Sequence, residues 1–175
     1  MDIATREFDY EKDLEHVKRI WREVGWIEDD AEEKQLDHFF AVGRTLLGTI
    51  DGIPECSVHI TPGTMRLLQT DLSLCAVTAV TTSRIARGHQ FAQRLTAAQL
   101  RQGARAGAAV AALGMFDQGF YEKLGFGTGG YDHEFAFDPA ALAVDSQPGT
   151  PQRLSAEGYA VRPRGLMGRP GRGGG

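Results

Sequence analysis

The segment from Ala76 to Leu100 constrains the fold most: a β-branched run passes through a basic, glycine-containing turn straight into an amphipathic helix. Val77, Val80, Thr81 and Thr82 favour a strand, and Arg84 and Arg87 bring positive charge into the turn. A helix opening near Gly88 leaves unpaired backbone N–H groups at its N-terminus, where phosphoryl oxygens can be held without a metal. After the mostly small, glycine-containing stretch 104–107, AAVAALGMF (108–116) reads as a buried strand, so the unit becomes strand, helix, strand: a right-handed crossover between parallel neighbours.

The first half reads differently. Ile3 to Phe8 suits a strand, and Glu11 to Val24 places Leu14, Val17, Ile20, Trp21 and Val24 at helical spacing. Asp29 and Asp30 offer N-cap chemistry to a second helix carrying Leu36, Phe39 and Phe40, ended by Gly43. Trp21, Trp26, Phe39 and Phe40 are read as core, with the wall of a substrate cleft as the alternative. RTLLGTIDG and IPECSVHITPG are strand-like runs split by the hairpin signal Asp51-Gly52, and Met65 to Leu68 leads through Gln69 to Asp71 and the next strand. Hairpins first and a crossover later predict an α/β fold: a mixed, mostly antiparallel sheet flanked by helices, with a β-α-β unit whose parallel strands part to leave a slot.

Composition limits the partners. The 175 residues suit one domain, expected over 1–138, followed by a Pro/Gly/Arg-rich tail over 139–175 with little to bury and expected to be disordered. No run of about 18 apolar residues occurs, and MDIATREFDY lacks the basic-then-apolar order of a signal peptide, so the expectation is a cytoplasmic protein without a membrane span. Cys56 and Cys75 lie in strand-like apolar runs and are expected to be buried thiols, and the five histidines show no paired ligand spacing, so no metal is expected. From Gln147 onward five arginines stand against one glutamate, +4; the net charge of −4 therefore leaves −8 on residues 1–146. An acidic surface suits a cationic amine as well as plain solubility. Arg-Gly segments can bind RNA, but five arginines with a single aromatic, Tyr159, among them argue against nucleic acid.

The turn reads RGHQFA, Arg87 to Ala92, and it resembles the Arg/Gln-x-x-Gly-x-Gly/Ala cofactor motif of the GNAT N-acetyltransferase superfamily, with Gln90 where the pattern has its central glycine. GMFDQGFYEKLGFGTGGYDHEFAF, Gly114 to Phe137, is similar to the family's C-terminal half, where a short Tyr-bearing helix precedes a Leu-Gly-Phe turn and a last hairpin. Within the family the resemblance is nearest to bacterial enhanced-intracellular-survival-like acetyltransferases, over roughly residues 1 to 138. It implies transfer of an acetyl group from acetyl-CoA to a primary amine, on a small molecule or a peptide, by direct attack through a tetrahedral intermediate. It also implies site residues. Arg87, Gly88, His89, Gln90, Phe91, Ala92 and Gln93 would hold pyrophosphate, the backbone of Val80, Thr81 and Thr82 would align pantetheine, Phe116 and Asp117 would flank its thiol end, and Tyr121 would protonate the departing thiolate.

No general base stands out; His59, Asp71, His133 and Glu134 are candidates. A second reading, a CoA-binding regulatory or interaction module of low activity, stays open beside the enzyme, as does a homo-oligomer. GFGTGG, Gly125 to Gly130, fits Gly-x-Gly-x-x-Gly by letter but follows the helical FYEKL and enters the alternating YDHEFAF, the reverse of a dinucleotide fingerprint. Its glycines are expected to make a turn of positive φ.

Overall fold

The computed structural model describes residues 1–115, 118–129 and 135–141, with the isolated positions 143, 150, 153 and 155. The chain divides into two compact units, Met1–Phe126 and Gly127–Gly175. In the first, the elements run β1 (Ile3–Glu7), α1 (Tyr10–Glu23), α2 (Asp30–Phe40), β2 (Arg44–Ile50), β3 (Ile53–Leu67), β4 (Thr70–Thr82), a 3₁₀ turn (Arg84–Ala86), α3 (Phe91–Arg105), β5 (Val110–Ala112) and α4 (Gln118–Glu122). In the second, a 3₁₀ turn at Pro139–Ala141 is capped by Asp138, whose carboxylate accepts from the Ala140 N–H at 2.9 Å.

The five strands form one sheet in the order β1-β2-β3-β4-β5, antiparallel except for the β4–β5 pair. This is the mixed α/β architecture expected. Asp51 and Gly52 both take positive φ, 49° and 83°, the geometry of a tight I′-like hairpin whose twist matches the strands. β3 runs further than expected: Pro62 and Gly63 do not end it, and it pairs with β4 out to Leu67↔Thr70 before reversing at Leu68. Both prolines of β3 keep the extended backbone, so neither breaks the strand.

Each face of the sheet buries its own core. On one, α3 lays Phe91 and Leu95 against Leu46, Cys56, Val58, Ile60, Cys75 and Val77. On the other, α1 and α2 bring Val17, Ile20, Trp21 and Leu36 over Leu47 and Ala79. Asp9 caps α1 by accepting from the Glu11 N–H at 3.2 Å. Arg19 ties that helix to the sheet through Glu55 at 2.9 Å and the Pro54 carbonyl at 2.8 Å. Gln99 ties α3 to it, its amide donating to the Arg44 and Val58 carbonyls, both at 2.9 Å. Gly48 admits α3 this closely: a Cβ there would lie 2.4 Å from Phe91 Cδ1.

Several details differ from the sequence reading. α3 opens at Phe91 rather than near Gly88, because the basic turn itself folds as a 3₁₀ turn. β5 is only three residues long and half-exposed rather than buried. Phe135–Phe137 carry no strand and expose both phenylalanines; the rest of YDHEFAF up to Glu134 lies outside the described residues. Gly125 does take a positive φ, 87°, at the end of α4, so this glycine closes a helix instead of opening one. Both cysteines are free and buried, and burial pushes the Cys56 thiol up to about 11, so neither is a nucleophile. Among the described residues no helix is long and apolar enough to cross a membrane, and no group of three His, Cys, Asp or Glu side chains is placed to hold a metal.

Candidate active site

The site is organised by an irregularity in β4. His59 pairs with Thr78 and Ser57 with Thr81, so Ala79 and Val80 together oppose Val58: a β-bulge, with Ala79 at φ 50°. A bulge adds one residue to one strand and shifts the alternation of its side chains. Cys75 and Val77 face α3, Ala79 then turns to the α1–α2 core, and Val80 returns to the α3 side.

Beyond this point β4 loses its parallel neighbour. The β4–β5 ladder covers only Leu74↔Val110, Cys75↔Ala111 and Ala76↔Ala112, so the edge of Val77–Thr82 that faces β5 has no strand partner among the described residues. The side chains here serve the protein itself: the Thr81 hydroxyl bonds Ser57 Oγ at 2.7 Å and the Thr82 hydroxyl bonds Cys56 Sγ at 3.2 Å. What faces the gap is backbone.

The chain leaves β4 toward the N-terminus of α3. Gly88 takes φ 87° and Gln90 takes φ 59°, ψ 20°, left-handed geometry that glycine adopts freely and glutamine only at a cost. Gln90 offers α3 no side-chain cap, and no acidic residue occupies the first turn. The first intrahelical bond reaching back to this turn is from the Arg94 N–H to the Gln90 carbonyl at 3.0 Å, which leaves the N–H groups of Phe91, Ala92 and Gln93 without a partner among the described residues. Three aligned donors at the positive end of a 15-residue helix form an anion seat.

That seat opens into a pocket of about 330 Å³. Its walls are Thr82 from β4, Ala86 to Gly88 and Gln90 to Gln93 from the turn and α3, Phe120 from α4 and Lys123 just after it. Arg87 and Lys123 give it two positive charges. Lys123 went unmarked in the sequence; its signal was its place three residues after Phe120, on the same face of a helical FYEKL.

The expected site residues are distributed as follows. Thr82, Arg87, Gly88, Gln90, Phe91, Ala92 and Gln93 share this pocket; Val80 and Thr81 continue up β4; His89 lies in the turn with its ring 6.1 Å from that of Phe91 and does not line the pocket. Tyr121 does not line it either: its ring stands edge-on to Phe120 at 4.9 Å and to Phe126 at 6.0 Å. Phe116 and Asp117 lie outside the described residues, as do the base candidates His133 and Glu134.

The other two base candidates are structural. His59 is fully buried, its Nδ1 2.7 Å from the Thr45 hydroxyl and its Nε2 3.0 Å from that of Thr61, with the Phe39 ring 4.6 Å away. Burial pushes its pKa down, opposed in part by a hydrogen bond to the Val42 backbone. Asp71 sits at the far end of the β3–β4 hairpin, ion-paired with Arg66 at 2.8 Å.

A second pocket, about 400 Å³, meets β4 at the bulge from the other face of the sheet. Trp21, Trp26, Ile27, Leu36 and Phe39 line it together with Thr78 and Ala79.

Comparison with known proteins identifies the family and the fold. Residues 6–129 match the model of an acetyltransferase (GNAT) domain. None of the curated proteins matches the chain. Among solved structures, a conserved protein of Enterococcus faecalis described as a probable N-acyltransferase superposes with a TM-score of 0.66 at 13% identity, over 71% of this chain and 32% of its own. The chain thus spans about a third of that protein's length. Glucosamine-6-phosphate N-acetyltransferase from Arabidopsis thaliana gives 0.60 at 14% identity, over 79% of this chain and 100% of its own. AAC(6')-Iy, in complex with the bisubstrate analogue CoA-S-monomethyl-acetylneamine, gives 0.63 at 15%, over 79% and 99%. At these identities the likeness is one of fold.

Proposed function

Because the chain belongs to the GNAT acetyltransferase domain family, we propose that it moves the acetyl group of acetyl-CoA onto a primary amine by direct attack. The observation that carries the reading is the continuity of the anion seat at Phe91–Gln93 with the unpaired edge of β4. The seat fits a pyrophosphate: its donors point out of a helix end that no side chain caps, between Arg87 and Lys123. The free edge fits a pantetheine arm, whose amides pair with backbone as an added strand would. When bound, acetyl-CoA supplies an activated thioester.

This chain's residues then have three tasks. Phe91–Gln93 and Arg87 fix the phosphates, and Lys123 adds charge from the turn after α4. Backbone N–H groups beside the bulge at Ala79–Val80 stabilise the oxyanion as the carbonyl carbon becomes tetrahedral. The amine nitrogen bonds to that carbon, the carbon–sulfur bond breaks, the amine's proton passes to solvent, and Tyr121 protonates the leaving thiolate. Tyr121 adjoins Phe120, which lines the pocket. Within the family we place the chain with the enhanced-intracellular-survival-like enzymes, supported by the Arg87–Ala92 and Gly114–Phe137 motifs.

Replacing Tyr121 with Phe tests the mechanism by free-thiol release. Loss of the general acid lowers kcat about 10²-fold or more while CoA binding is unchanged. An unaltered kcat removes Tyr121 from the mechanism. The left-handed Gln90 favours a second reading, a CoA-binding module of low activity, and the same assay separates the two: CoA binding without thiol release on any amine supports the module.

A further inference from the structure

The pocket on the α1–α2 face is described above only as a space, yet its chemistry is selective. It touches β4 at Thr78 and Ala79, at the bulge beside which the thioester carbon would lie. An amine must come within bonding distance of that carbon, and among the pockets described this one reaches the bulge from the side opposite α3.

Its walls are aromatic and aliphatic. The Trp21 and Trp26 rings lie 5.4 Å apart at 68°, and Trp21 and Phe39 lie 5.5 Å apart at 71°, so three rings form a corner closed by Ile27 and Leu36. Trp21 is 6% exposed and forms the floor; Trp26 is 38% exposed and stands at the rim. Among the described residues no carboxylate, amide or cation lines the space. Its polar lining side chains are Thr78 and Trp26; the indole N–H of Trp21 is fully buried within the protein. A polyamine would bury a second ammonium there unpaired, and an amino sugar would bury several hydroxyls unpaired; both cost more than the contacts return. An aromatic ring costs nothing of the kind. It packs edge-to-face on the walls, and the rings ease entry of a single ammonium.

We propose, building on the acetyl-transfer reading, that this pocket selects the acceptor and takes a small primary amine carried on an aromatic body by a short alkyl chain. A volume of about 400 Å³ holds one ring and its side arm.

The chain contains two tryptophans, and both line this pocket, so tryptophan fluorescence, excited selectively over the four tyrosines, reports on it. Titrating phenethylamine into the full chain is expected to give a saturable fluorescence change, with spermidine and glucosamine giving none at the same millimolar concentrations. Trp26→Ala, at the rim, should weaken phenethylamine about tenfold while leaving CoA binding unchanged. Free-thiol release from acetyl-CoA should then show a higher kcat/KM for phenethylamine than for either hydrophilic amine. Saturable CoA binding with turnover on spermidine or glucosamine, and none on phenethylamine, would overturn the assignment and leave acetyl transfer standing. A flat phenethylamine titration overturns it as well. Absence of CoA binding would defeat the acetyl-transfer reading and the assignment together.

Discussion

The two faces of β4 are built of different materials. On the α3 side the site is built of backbone: unpaired N–H groups at Phe91–Gln93, a strand edge without a neighbour, and turn residues at positive φ. On the α1–α2 side it is built of side chains, three aromatic rings and two aliphatic residues against a bulge. The difference has a chemical reason. A diphosphate is an invariant, highly charged group best met by fixed dipoles, whereas a variable acceptor is met by side chains, whose shapes differ from residue to residue.

Perturbing either face in isolation tests that division. The largest effect is expected at Gly48→Ala, where the added methyl meets the Phe91 ring. Displacing the start of α3 should cost about 2–3 kcal/mol in urea unfolding and weaken CoA binding, with the α1–α2 pocket untouched. Arg87→Glu comes next. It places a carboxylate at the anion seat and should weaken CoA about 30-fold or more, with a shallower salt dependence than the parent and no change in unfolding free energy.

His59 belongs to the α1–α2 side, pinned beneath Phe39 and held neutral by burial. Its pKa is lowered on folding, so the unfolded chain binds the proton more readily. The stability contributed is complete above the ordinary histidine value of about 6.5 and falls as pH drops below it. Chemical unfolding from pH 7.5 to 5 should show this decline, and H59Q should flatten it. The smallest effect is expected from Gln90→Gly, which relieves a left-handed glutamine: about 1 kcal/mol of stability and a few-fold tighter CoA binding, measured by calorimetry. Equal affinities would mean that the Gln90 Cβ does not crowd the seat.

This division also decides what the sequence could show. Backbone geometry leaves marks: the Asp51-Gly52 reversal, the arginines and Gly88 before α3, and the β-branched approach through Val80 to Thr82 all signalled structure that is present. The bulge left none, because Ala79 at φ 50° is an ordinary alanine by letter and only the register with β3 exposes it. The aromatic pocket was legible only as an alternative, core or cleft wall, between which the sequence does not decide. Trp21 and Phe39 sit at core spacing on their helices, and they do serve as core; whether a ring also walls a cavity depends on the packing of α1 against α2, which periodicity does not encode. His59 misled for a related reason. A histidine in a hairpin strand suggests proton transfer until its two hydroxyl partners, Thr45 and Thr61, are seen.

The central claim is that the α3 face holds acetyl-CoA by backbone dipoles and two cations. Calorimetric titration of acetyl-CoA into the full chain, run beside Arg87→Glu and Gln90→Gly, tests it most directly. The account predicts saturable one-to-one binding, weakened by the first substitution and tightened by the second. Binding that is absent, or that is indifferent to both substitutions, would contradict it.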